Sequence, residues 1–157
     1  MKQSIFFVIL VTAFAVINFI WVEKKYTPKV APLTVQEVKI KYAELSGKKI
    51  KVELAQTKAE QELGLSGRAL LPEDEGLLFV FENSAEHLFW MKDMKFAIDI
   101  IWINAEEKVV YIKRSATPDS YPEVFKPTEN AKYVLEVSAG FADKNNLKEG
   151  DSVLFTF

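Results

Sequence analysis

The sequence predicts a mainly β fold: a compact β-sandwich or barrel-like domain with one or two short helices, preceded by an N-terminal transmembrane helix. Three observations carry that prediction. Short apolar or alternating runs recur along the chain, separated by turn residues. Signals for a helix occur only twice beyond residue 30, and both are short. Finally, Ile5 to Val22 (IFFVILVTAFAVINFIWV) is an uncharged apolar block.

As a helix that block would be about 27 Å long, close to the hydrocarbon thickness of a bilayer. Lys2 precedes it, and Trp21, Lys24 and Lys25 follow, a pattern that suits an interfacial anchor. A cleaved signal peptide is the alternative, with Ala13-Phe14-Ala15 as the small-residue site. Cleavage there would leave VINFIWV on the mature N-terminus, an exposed apolar patch, which favours the anchor. Lysines on both sides leave the positive-inside rule undecided. A short tail before the first apolar helix usually stays cytoplasmic, so the rest of the chain is expected outside the cytoplasm, secreted if cleavage occurs. Residues 1–25 are thus read as membrane anchor or signal segment, 26–34 as a tether with Pro28 and Pro32, and 35–157 as the β-rich globular domain.

Within that domain, VKIKYAEL and KKIKVELAQ alternate around Ser46-Gly47, as a hairpin with one buried face does. Thr57 with Glu60 forms a capping box opening a short helix through Leu63, with Gly64 and Gly67 available to end it. Gly76 starts the strand LLFVF, and ENSAEH reads as a polar turn. FWMKDMKFAIDIIWI supplies one or two strands, Asn104 to Glu107 a hairpin loop, and KVVYIKR the return. Ser115 to Asn130 holds three of the six prolines without periodicity, a loop long enough to suggest function. The strand AKYVLEVS, a helical turn near Phe141 to Asn146, a tight turn at Lys148 to Asp151 and the strand SVLFTF follow.

The composition narrows the chemistry. Residues 1–30 hold four of the 20 Lys and Arg and one of the 22 Asp and Glu, leaving 16 and 21, a net of −5. With no basic stripe, nucleic acid is not expected as a partner. The absence of cysteine excludes disulfides, thiol nucleophiles and Cys-ligated zinc. His87 is the single histidine, in a turn beside acidic residues, and GLSG is not a nucleophile elbow. No Gly-rich loop follows a strand as a phosphate or dinucleotide site requires. Glu73-Asp74-Glu75 lacks EF-hand spacing. Neither cofactor nor metal is therefore expected.

The segments GLSGRALLPEDEGLLFVF, FWMKDMKFAIDIIWI and AKYVLEVSAGFADKNNLKEGDSV, in that order, resemble the family called domain of unknown function 192. The resemblance lies in Gly64-x-x-x-Arg68, in Gly76-x-Leu78-Phe79-x-Phe81, in Phe89-Trp90-Met91-Lys92 leading into Asp99-Ile100, and in Gly150-Asp151. It spans roughly residues 50–155. Asp93-Met94 replaces the usual Asn-Thr and Ala97 the usual Pro, so roles resting on those residues do not carry over. The resemblance implies a compact, mainly β domain, often exported or membrane-tethered, and no activity.

Asp99 raises the site question. On an extended strand Phe96, Ile98, Ile100 and Trp102 share one face, and Ala97, Asp99, Ile101 and Ile103 the other. Both faces are apolar, so the carboxylate needs a partner. It either accepts backbone N–H groups and pins a loop, or it joins Arg68, Lys92 and Glu136 in a polar pocket walled by Trp90. For Trp90 the competing place is the core; for Glu136 it is a solvated strand position. Lys92 and Lys95 can also reach out to water.

Three functions follow from this inventory. The first is a tethered ligand-binding or accessory domain whose partner is a glycan, another small molecule or an envelope protein. The second is a hydrolase or lyase on envelope glycans using Asp99 and Glu136 as acid and base, which needs them about 5–10 Å apart across a cleft. The third is a structural or protein-interaction module.

Overall fold

The computed structural model describes residues 39–157. The expected transmembrane helix and tether lie outside the described residues. No helix within them is long and apolar enough to cross a membrane.

Among the described residues seven strands form one curled sheet: β1 (Tyr42–Leu45), β2 (Lys48–Ala55), β3 (Glu75–Ala85), β4 (Ile98–Ile103), β5 (Val109–Ala116), β6 (Ala131–Ser138) and β7 (Val153–Thr156), in the spatial order β5-β4-β6-β3-β2-β1-β7. Two short helices complete the described residues, α1 (Lys58–Leu63) and α2 (Phe141–Lys144), with a 3₁₀ turn at Pro118–Ser120. The mainly β expectation holds, but the sandwich half of it is corrected. All seven strands belong to one hydrogen-bonded sheet, a half-barrel, rather than to two stacked sheets. At one end the outermost strands meet: Lys108 bridges Ser152, and Val109 N–H donates to the Asp151 carbonyl at 2.9 Å.

The first hairpin turns where the sequence places it. Ser46 and Gly47 both have positive φ, 49° and 73°, as a two-residue connection between twisted strands requires. Thr57 and Glu60 form the reciprocal capping box, and Gly64 ends α1 at φ 53°. Next comes the one parallel pairing, β2 with β3. Parallel neighbours need a crossover, and α1 with residues 64–74 supplies it, carrying chain over one face of the sheet. ENSAEH turns only at its end, where His87 N–H donates to the Ala85 carbonyl at 3.0 Å. β3 continues through Ala85 beyond a register shift, and Lys132 Nζ donates to the Glu82 carbonyl at 2.7 Å.

Each face of the sheet packs its own apolar cluster. One contains Ile50, Leu78, Ile101, Ile103, Leu135 and Val137 with Phe141 from α2. The other contains Leu77, Phe79, Ile98, Ile100, Trp102 and Val134, covered by Leu65, Met91 and Phe125. The alternation read along β4 therefore holds on both sides. The long loop is not loose: Phe125 and Phe89 exchange backbone hydrogen bonds at 2.8 and 3.0 Å, clamping residues 115–130 to the segment before β4.

A candidate ligand cleft over Glu136

Glu136 lies in the middle of β6, directly between Leu77 of β3 and Ile100 of β4. Cross-strand partners share a face, so its side chain belongs to the Phe79–Trp102 side. Sequence alternation allowed a solvated position or a rim; the structure buries it to 4 % exposure. What hides it is non-local. The end of α1 crosses above, and Gly64 comes so near that a Cβ there would sit 3.5 Å from Phe79 Cζ and 4.0 Å from Glu136 Oε2.

Among the described residues, Oε2 of Glu136 is the one buried side-chain nitrogen or oxygen without a hydrogen-bond partner. Native interiors rarely leave such atoms open without a reason. Burial pushes the Glu136 carboxyl up to about 8, while the positive charge of Arg68 works weakly the other way. The guanidinium is engaged elsewhere, donating to both oxygens of Glu53 at 3.0 and 2.7 Å. Glu136 therefore holds its proton more tightly than an exposed glutamate does, at the base of a hollow.

That hollow is a cleft of about 620 Å³, within the range of small-molecule sites. Its floor is Phe79 and Glu136, with one wall from Leu63 to Ser66 and the other from His87 to Met94. The walls are tied together: Gly67 N–H donates to the Asp93 carbonyl at 2.9 Å, and Ser66 Oγ–H to the Lys92 carbonyl at 3.0 Å. Asp93 adopts the left-handed conformation at φ 56°, which short polar Asp and Asn tolerate better than most residues. This places the Trp90–Lys92 turn against the glycine segment of the facing wall. Aromatic packing stiffens the floor, with Phe79 edge-on to Phe89 at 4.8 Å and Phe89 edge-on to Trp102 at 5.6 Å.

The expected site residues separate into three groups. Glu136, Trp90 and Lys92 line the cleft. Trp90 is 55 % exposed, so it is a wall and not core. Arg68 lies close enough to act electrostatically on Glu136 but is held by Glu53. Asp99 is elsewhere. Fully buried on the opposite face, it accepts backbone N–H bonds from Ser115 (2.7 Å), Gly140 (3.2 Å) and Ala142 (2.8 Å). It has no cationic partner of the kind expected, because three oriented amides serve its charge. A pocket joining Asp99 to Arg68, Lys92 and Glu136 is thus corrected. So is the acid–base pair of Asp99 and Glu136, since no bond can lie between groups on opposite faces of a sheet.

Sequence reasoning missed Phe79, Phe89 and His87 as cleft residues. His87, expected in an exposed turn, is half-buried and stacks on Phe81 at 3.4 Å between ring centres, while its carbonyl accepts the Trp102 indole N–H at 2.8 Å. Burial lowers its affinity for a proton. Gly64 was the available signal, because a glycine can mark a close approach of backbone to its neighbours. A smaller hollow of about 270 Å³ lies beside α2, bordered by Lys144 and Glu73, which pair with each other at 2.9 Å. It contains no open buried polar atom.

Comparison with known proteins places these features in a family. Two solved structures share the fold, each with a TM-score of 0.69. One, from Sinorhizobium meliloti, is described as a candidate transcription regulator; it is 28 % identical, with 76 % of this chain and 97 % of that one aligned. The other, from Novosphingobium aromaticivorans, is described as of unknown function; it is 31 % identical, covering 79 % and 91 %. Among curated proteins none matches. The family model described as "Uncharacterized ACR", DUF192, matches residues 40–155, which include both walls of the cleft and every strand but the last residue of β7, and the chain belongs to that family.

Proposed function

We propose that the domain is a ligand-binding module without acid–base catalysis by paired carboxyls, and that its site is the cleft over Glu136. One observation carries the reading: a nearly buried carboxyl, one of its oxygens without a partner in the protein, lines an aromatic-walled hollow. Aromatic and aliphatic walls interspersed with polar side chains such as Ser66, His87, Lys92 and Glu136 suit recognition of a small molecule. Ile5 to Val22 would hold the domain at a membrane, facing outward, which makes an envelope component or a solute outside the cytoplasm the natural ligand. The regulatory role named for the S. meliloti protein finds no basic stripe here to support it.

A fragment screen by amide NMR on the full-length chain in detergent tests the site. Hits should shift Gly64, Trp90 and Glu136 together. Hits that consistently perturb other regions, and leave these three unmoved, remove the assignment. Resistance to alkaline extraction from membranes is the expected behaviour of the anchor; release into the soluble fraction rules it out.

A further inference from the structure

We propose that the ligand of the Glu136 cleft is an organic amine, its ammonium group donating to Glu136 and its apolar body lying against the aromatic walls. This rests on the binding reading above and deepens it to a chemical class.

The unpartnered oxygen of Glu136 calls for a donor, and three neighbouring side chains spend theirs elsewhere. Arg68 spends its fork on Glu53. Ser66 donates to the Lys92 carbonyl, and Gln61 Nε2 to the Val80 carbonyl at 3.0 Å. The protein has therefore left the acceptor to something that enters from outside. An anion fits less well: Lys92 on the wall attracts it, but any ionised fraction of Glu136 on the floor repels it. A sugar fits less well, because its ring of hydroxyls needs several fixed partners, and Ser66 and Gln61, among the polar side chains of the lining, already donate within the protein. An ammonium needs one strong acceptor and gains from aromatic faces, which Phe79, Phe89 and Trp90 supply. Its charge also favours the carboxylate form of Glu136, as opposite charges do at short range.

The rim speaks to the rest of the ligand. Leu63 (62 % exposed), Leu88 (60 %) and Trp90 stand around the mouth as large apolar side chains left in water. They match a body that is apolar beyond its amine.

Calorimetry on the full-length protein with three probes of one shape tests the proposal: 2-phenylethylamine, 2-phenylethanol and 3-phenylpropionate, with methyl glucoside as the sugar. The amine should bind about 10-fold or more tightly than the alcohol, as a charge-assisted bond to a buried carboxyl requires. Glu136→Gln should abolish that preference while leaving the alcohol's affinity within about 3-fold, and its thermal melt confirms folding. Trp90→Ala, at an exposed position, should weaken the amine several-fold in a folded protein. If the alcohol, the acid or the sugar binds the wild type as tightly as the amine, the amine assignment is wrong and the cleft remains a ligand site. If all four probes fail to bind, the binding reading itself falls with it.

Discussion

Asp99 and Glu136 stand on hydrogen-bonded neighbouring strands and open onto opposite faces of the sheet: Asp99 pairs with Val137, and Glu136 with Ile100. The first carboxyl is fully served by three amides. The second keeps an oxygen open. Similar burial thus has two meanings, one architectural and one chemical.

Asp99→Asn should destabilise the domain and spare the cleft. The asparagine offers one oxygen where two were used, and its own N–H groups meet the amide donors. The expected loss is about 3 kcal/mol, from charge-assisted bonds weakened and buried donors left open. Urea denaturation measures it; a loss below about 0.5 kcal/mol would deny Asp99 its bracing role between β5 and α2.

Glu136 should make stability fall as pH rises. Its folded carboxyl is raised to about 8 from an ordinary 4.5, so between those values the folded state holds a proton that the unfolded state has lost. Folding free energy therefore shrinks by at most about 1.4 kcal/mol per pH unit across that window, with no further loss above it. Glu136→Gln lacks this term. The stability of the variant relative to wild type should climb through the window and then level off, and a pH-independent difference in denaturation profiles would contradict the burial described for Glu136.

Arg68→Ala should shift the titration of Glu136 more than it shifts stability. Arg68 and Glu53 are both partly solvent-exposed, so their pair contributes less than about 1 kcal/mol. The lost positive charge, however, was favouring ionisation of Glu136. Carbon-13 NMR of the labelled carboxyl should place its midpoint at higher pH in the variant, and an unchanged midpoint means that Arg68 plays no part in tuning the cleft.

Gly76→Ala should be costly although the residue is not among the glycines of positive φ. A Cβ there would lie 2.9 Å from the Glu136 carbonyl oxygen and 3.0 Å from Leu135 Cδ1, in the packed middle of the sheet. Backbone cannot yield as a side-chain tip can, so a loss of about 1–3 kcal/mol is expected, read as a lowered Tm. An unchanged Tm would show that β3 and β6 separate there more easily than their register suggests.

Local elements were legible in the sequence, and their neighbours were not. The capping box at Thr57, the turn at Ser46-Gly47 and the limits of AKYVLEVS follow from short-range chemistry, and each stands where the residues place it. The single parallel pairing of β2 with β3 depends on which strand the crossover reaches, information spread over some twenty residues without periodicity. The same crossover explains the misjudged exposure of Glu136. Its strand neighbours told only which side it faced, while the roof came from Gly64, more than seventy positions away in the chain. ENSAEH misled for a related reason: its polar composition suits a turn, yet pairing of Ala85 with Ala131 keeps it extended.

The contact between Lys108 and Ser152 has a bearing on behaviour in concentrated solution. An open sheet offers its first and last strands as templates on which other copies can add, the usual start of edge-to-edge polymerisation. Here the loop end of the β4–β5 hairpin returns to the chain entering β7, so the two margins shield one another at that end. At that end the curl covers edge backbone that an added copy would need.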